Sequence, residues 1–298
     1  MAVSFKKAKR EQLWTKILLT GPSGSGKTYS SLRLATGLAE ASNSRIAYID
    51  TENGRARYYA DEFDFDDIQL TSPFSSTKYI EAIDSAINSG YKVIVIDSLS
   101  HEWLWCNDQV NNMQGNSFQN WGKVKTKWHN PFMEFIIQSP IHIIATARGK
   151  DKWVLEEKNG KQTPTKKGEG SIQSDDTEYN YTITFNLNQD THVASCSKDN
   201  THLFEDRYDV LTEKDGALIY EWANKGEKPA KKEVIIPHVD DIDLVINEIR
   251  EEINKKINAG TERDTIAAAL KTSCGTAQYG KIKDIEKAKA ALKAVREV

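Results

Sequence analysis

The sequence predicts an α/β protein: a mostly parallel sheet flanked by helices, with antiparallel edge strands and a small C-terminal helical domain. Three observations carry that expectation. Apolar runs at 16–20, 46–50, 93–97 and 141–146 recur with helix-prone segments between them, and such alternation builds a parallel sheet covered on both faces. After Thr146 the alternation gives way to hairpin-like segments. Beyond a charged, Gly- and Pro-containing run at residue 224, the periodicity is helical.

The first strand, Lys16 to Thr20, feeds the octapeptide GPSGSGKT, and Thr28 to Glu40 reads as a helix whose N-terminus faces it. The glycines let consecutive amide N–H groups turn inward around an anion. Lys27 adds a point charge for the outer phosphates, and Thr28 a hydroxyl for magnesium. Gly21, Pro22, Ser23, Gly24, Ser25, Gly26, Lys27, Thr28 and the adjoining Tyr29 are therefore the expected nucleotide-binding residues, with ATP and Mg2+ as expected cofactors. No guanine-reading N-K-x-D motif is present.

The second strand, IAYID, leads into Asp50 and Glu52, and the third, VIVID, ends in Asp97. Strand tips of a parallel sheet emerge at the carboxyl edge, where ligands bind. A nucleotide hydrolase needs one carboxylate to support magnesium and another group to deprotonate the attacking water. Asp97 is the candidate for the first role and Glu52 for the second, with Asp50 as its rival. The fourth strand continues into ATARGKDK. There Thr146 is a candidate γ-phosphate sensor, and Arg148 and Lys150 are candidate cations for transition-state charge, acting in the same subunit or from a neighbour.

DKWVLEE, NGK and QTPTKK then read as a β-hairpin, and YTITFNL with THVASCS as a second pair of strands, where the sheet gains its antiparallel edge. NKGEKPAKKE reads as a linker, so the expected division is 1–223, 224–237 and 238–298. In the last part Val245, Ile249, Ile253 and Ile257 mark an amphipathic helix. Helices over 262–272 and 281–298 follow, with Thr261 as N-cap and Gly275 as stop.

The 298 residues suffice for one large α/β domain and a small appendage. A net charge of -3 means that any nucleic-acid partner needs a local basic surface. Three cysteines, scattered and in no C-x-x-C pair, suit a reducing compartment and argue against structural zinc. No run has signal-peptide or membrane-spanning length, so a cytoplasmic protein with no membrane partner is expected.

Taken together, GPSGSGKT, IDTENG, VIVIDS and ATARGK resemble the motifs of RecA-like P-loop ATPases. With KKAKREQ before the first strand and a hairpin after ARGK, the chain looks more narrowly like the Sak-type ATPases of phage recombination modules, which are associated with single-strand annealing. The resemblance spans about residues 4 to 205. It implies a RecA-like P-loop NTPase core in which Lys27 and Thr28 bind phosphate and magnesium, Glu52 activates water, Asp97 supports magnesium and Thr146 is the sensor. It also implies single-stranded DNA as partner, a homo-oligomer, an annealing or single-strand-binding protein nearby, and the bacterial host cytoplasm as location. RecA itself commonly carries an amide side chain where Thr146 falls. FKKA, Phe5 to Ala8, matches the F-x-x-A signature by which some recombinases dock on a neighbour; the alternative is a simple N-terminal staple.

In that group DNA is bound by segments after the magnesium strand and the sensor strand. The first of these here contains Trp103, Trp105, Trp121 and Trp128 with Lys123, Lys125 and Lys127. Aromatic faces stack on unpaired bases and lysines follow the phosphates. Yet Trp121, Val124 and Trp128 also have helical core spacing, so the tryptophans are expected in the core and the lysines on the surface. Arg148 to Gly170 holds seven Lys or Arg against four Asp or Glu. Lys158, Lys161, Lys166 and Lys167 are thus the leading DNA candidates. Two other readings stay open: a nucleotide-gated, helicase-loader-like switch, and a small-molecule kinase using Arg55 and Arg57.

Overall fold

The computed structural model describes residues 5, 7–158, 161–174, 177–229 and 242–298; the side chains of 150–158, 161–171, 243, 244 and 247 lie outside the described set. The chain divides into two compact units, Met1–Pro237 and His238–Val298.

In the larger unit, chain order is β1 (Lys16–Gly21), α1 (Lys27–Ser42), β2 (Ile46–Asp50), β3 (Asp66–Gln69), α2 (Ser76–Asn88), β4 (Val93–Asp97), α3 (Ser100–Asn111), α4 (Ser117–Val124), a π-helical turn (Lys125–His129), α5 (Asn130–Gln138), β5 (His142–Lys158), β6 (Lys161–Ser171), β7 (Ile183–Leu187), β8 (Ala194–Asp199), β9 (Tyr208–Asp209) and α6 (Glu213–Ala223). The sheet runs β3-β2-β4-β5-β1-β7-β8-β9, with β6 paired to β5 off this path. This is the RecA-like arrangement: the cradle strand β1 and the acidic strand β4 lie on either side of β5.

Alternation of side chains along each strand explains why the central runs are apolar throughout. Ile17, Leu19, Tyr48, Val93, Val95, Ile144 and Phe185 face one buried layer with Leu34, Leu38 and Ile219 of α1 and α6. Leu18, Ile49, Ile94, Ile96, Ile143 and Ala145 face the opposite layer with Tyr79, Ile83, Phe132 and Phe135 of α2 and α5. Helices α1 and α6 approach so closely that a Cβ on Gly37 would sit 1.8 Å from Glu213 O, and one on Gly216 2.2 Å from Leu34 O. Only glycine fits at that crossing.

YTITFNL and THVASCS form the expected antiparallel pair, β7 and β8, and β9 extends that edge. What the sequence did not show is that β7 also lies parallel to β1, with Ile17 opposite Ile183. The strand beside a parallel strand is set by a crossover far along the chain, which local alternation does not reveal. Strand β3, mostly exposed, was not anticipated at all. The hairpin does form, with β5 continuing directly into it and β6 antiparallel from Gly149↔Ser171 to Lys158↔Lys161; the predicted turn at Asn159 and Gly160 lies outside the described residues.

The charged run from Asn224 begins attached to the larger unit, since Gln12 N donates to Glu227 O and Glu227 N to Arg10 O; its residues 230–237 lie outside the described set. Phe5 is fully exposed and staples nothing among the described residues.

The smaller unit holds α7 (Ile242–Asn258), α8 (Arg263–Cys274) and α9 (Ile285–Glu297), packed around Ile249, Ile266, Leu270, Ala288, Ala291 and Val295. Gly275 caps α8 at φ 81°, but the N-cap is Glu262 rather than Thr261. Among the described residues no helix is long and apolar enough to cross a membrane.

Candidate functional site

Strand register assembles the site. β1 and β5 align Leu19 with Thr146 and Gly21 with Arg148, while β2 and β4 align Asp50 with Asp97. The tips of β1, β2, β4 and β5 therefore end at one carboxyl edge. A cavity of about 910 Å³ opens there, lined among others by Gly24, Lys27, Thr28, Glu52, Asp97 and Arg148.

Gly26 caps α1 in the left-handed region at φ 81°, which turns the loop amides toward the cavity. Lys27 Nζ donates to Gly21 O and Pro22 O, both at 2.7 Å. Burial lowers its pKa, and the charges of Asp97 and Glu52 pull it back up. Ser25 Oγ is buried in this loop with no hydrogen-bond partner. A cationic amine, inward amides and an orphaned hydroxyl form a donor set that fits phosphate oxygens. Ser23 O accepts from Gln189 of the β7–β8 loop, and Tyr29 packs edge-on against Tyr59 and Phe63 and donates to Glu62.

Asp97 gathers three hydroxyl donors: Thr28 Oγ1 at 2.6 Å, Tyr48 Oη at 2.8 Å and Thr146 Oγ1 at 2.5 Å. Burial and the Asp97 charge hold the Tyr48 phenol well above its ordinary pKa, so it remains a donor. The Thr28 hydroxyl and Asp97 carboxylate are oxygen ligands of the kind magnesium takes in phosphate sites, and their adjacency fits that ion.

Glu52 takes a bidentate contact from Arg148, with Nη2 at 2.7 and 2.8 Å and Nε at 3.0 Å. Arg148 Nη2 also lies 3.0 Å from His101 Nε2. Because guanidinium only donates, that nitrogen accepts; Nδ1 carries the proton and donates to Thr51 Oγ1 at 2.7 Å. Burial lowers the His101 pKa; the Glu52 charge opposes that shift and the Arg148 charge adds to it. Asp50 is occupied differently: it accepts from Glu52 N at 2.6 Å and Ala56 N at 3.4 Å. It shapes the turn that presents Glu52, which argues against it as the rival base.

The expected residues thus separate. Gly24, Gly26, Lys27, Thr28, Glu52, Asp97 and Arg148 share one cavity, and Thr146 reaches it through Asp97. Arg55 lines the cavity, whereas Arg57 pairs with Asp67. The side chains of Lys150, Lys158, Lys161, Lys166 and Lys167 lie outside the described residues. Lys123 and Lys127 are exposed, with Lys127 over the Trp128 ring; Lys125 is half-buried, bonded to Ser174 Oγ and set over Trp103. Trp105 and Trp128 are core residues, but Trp103 and Trp121 are only half-buried and stack on each other at 4.8 Å. His101, Tyr48 and Thr51 were not anticipated, although a histidine four residues past the acidic tip was a usable signal.

Fold and cavity together define a P-loop NTPase with a RecA-like sheet. The family comparison makes this specific: AAA_24, an AAA domain family, matches residues 14–208, and the chain belongs to it. Among solved structures the chain is similar to the KaiC-like protein PH0186 from the hyperthermophilic archaeon Pyrococcus horikoshii OT3, at 16% identity and a TM-score of 0.36, over 62% of this chain and 79% of that one. No curated protein matches.

Proposed function

We propose that the protein is a magnesium-dependent ATPase that binds single-stranded DNA and assists strand annealing in phage homologous recombination, in the host cytoplasm and as a homo-oligomer. One observation carries the link from nucleotide to DNA. β5 holds Thr146 on Asp97 and Arg148 on Glu52, then continues without interruption into the basic hairpin made with β6. A displacement of Arg148 at the nucleotide is therefore a displacement at the base of that hairpin.

Lys27 and the loop amides bind the outer phosphates, while Thr28 and Asp97 would hold magnesium. The ion's contribution there is to neutralise charge on the phosphate oxygens. Glu52 accepts the proton of the attacking water at a carboxylate oxygen, and for that Arg148 must release it. Once released, the guanidinium is free to face the transferring phosphoryl oxygens. DNA on the hairpin favours that release.

The test is phosphate release from ATP with and without single-stranded DNA. The reading expects stimulation by DNA that disappears when Lys158, Lys161, Lys166 and Lys167 are replaced by glutamate, with ATP affinity unchanged. Equal turnover with and without DNA overturns it. Tight ATP binding without turnover would favour the nucleotide-gated switch instead, a reading that the engaged Glu52 also accommodates.

A further inference from the structure

A second cluster of chemically capable side chains lies inside the larger unit and plays no part in the nucleotide chemistry. Glu102 and Cys106 are one helical turn apart on α3 and so share a face. Opposite them the chain leaves α-helical geometry for the π-helical turn Lys125–His129, whose wider winding buries both Trp128 and His129. Such turns are frequent at functional sites. The ligand atoms of Glu102, Cys106 and His129 all lie within 4.8 Å of one another, and the three residues are 0%, 0% and 3% exposed.

From this we propose that Glu102, Cys106 and His129 form a binding site for a thiophilic divalent cation of the zinc type. The separations suit one ion. Cys106 Sγ and His129 Nδ1 each lie 3.3 Å from Glu102 Oε1. A tetrahedral zinc holds such donors about 3.3–3.5 Å apart, a separation that both of these pairs already meet. Ser76 Oγ, 2.7 Å from Glu102 Oε1, supplies a nearby fourth donor. An independent sign is the Tyr181 hydroxyl, which has no partner, belongs to a residue only 1% exposed, and feels the Glu102 charge.

Charge balance favours exchange of protons for metal. Without metal the carboxylate takes hydrogen bonds from Ser76, Cys106 and His129. A divalent ion bound by one carboxylate, one thiolate and one neutral imidazole gives a centre with no net charge, which an apolar interior tolerates. Thiolate with imidazole selects zinc, cobalt or iron over magnesium, which keeps the site distinct from Thr28 and Asp97. The absence of a C-x-x-C pair, which argued against structural zinc in the sequence, does not apply to a site with a single cysteine. Bound metal would tie α3 and the π-helical turn to the start of α2.

The test is cobalt titration of the full chain with Cys196 and Cys274 both replaced by serine, followed by optical absorption. The expected result is one Co2+ per chain with a thiolate-to-cobalt charge-transfer band and the visible bands of a four-coordinate ion. Zinc should displace the cobalt, and about one proton, that of the Cys106 thiol, should be released per ion near neutral pH. Cys106→Ser should remove the charge-transfer band. A folded protein, verified by circular dichroism, that shows no such band overturns the proposal. So does a band that survives Cys106→Ser. ATP turnover is not the readout, so the ATPase reading and this one fail separately.

Discussion

Replacing Arg148 by alanine removes the only side chain seen to engage both Glu52 and His101 among the described residues. The expected magnitude follows from two opposing effects. Loss of one preorganised donor facing developing phosphoryl charge costs about 2.7–4 kcal/mol in the barrier. Against this, the wild type must first break the Arg148–Glu52 pair, whose side chains are 40% and 14% exposed. A bidentate pair so exposed is screened well below a buried one, and holds by about 1–2 kcal/mol. The net loss is about 1–3 kcal/mol, or roughly 5- to 150-fold in rate. Single-turnover phosphate release with ATP in excess of its dissociation constant reads this directly. A variant that hydrolyses ATP as fast as wild type, or faster, would show that Arg148 only restrains Glu52, and would refute the assignment of transition-state charge to it.

Three further outcomes are expected. Gly216→Ala places a methyl against Leu34 O and should destabilise the larger unit by about 2–3 kcal/mol, lowering its melting temperature by about 4–12 °C in calorimetry. His142 Nδ1 accepts from Thr15 N, and burial followed by the Lys16 charge pushes the ring down to about 3. Below the ordinary histidine pKa the unfolded chain takes up a proton that the folded one refuses. His142 thus contributes stability above about pH 6.5 that is lost toward pH 3, at about 1.4 kcal/mol per pH unit; denaturant titrations should show that slope flattened in His142→Gln. Replacing Lys158, Lys161, Lys166 and Lys167 by glutamate should weaken DNA binding and lower its logarithmic salt slope by up to about 3, as measured by anisotropy across salt concentrations.

How much was legible follows from how far each feature depends on distant chain. β1, β2 and β4 could be read because each is a continuous apolar run bounded by turns, and the cradle because its chemistry lies in eight consecutive residues. Asp97 and Glu52 were legible as strand tips, since parallel strands share one functional edge. That Thr146 and Tyr48 both donate to Asp97 was not: their alignment comes from the β4–β5 and β2–β4 registers, fixed only when the sheet forms. The partner of β7 was hidden for the same reason. The π-helical turn escaped because Trp121, Val124 and Trp128 fit an α-helix equally well; the altered winding shows only in the consecutive burial of Trp128 and His129. The Arg148–Glu52 contact joins residues 96 positions apart and had no local signal.

One carboxyl-edge cavity sets Lys27 for phosphate and Glu52 for water. The decisive measurement is phosphate release and nucleotide binding, side by side, for wild type, Lys27→Ala and Glu52→Gln. Lys27→Ala should lose ATP binding and turnover together, whereas Glu52→Gln should still bind ATP and lose turnover by at least about 100-fold. A Glu52→Gln variant that hydrolyses ATP at the wild-type rate would rule out Glu52 as the base.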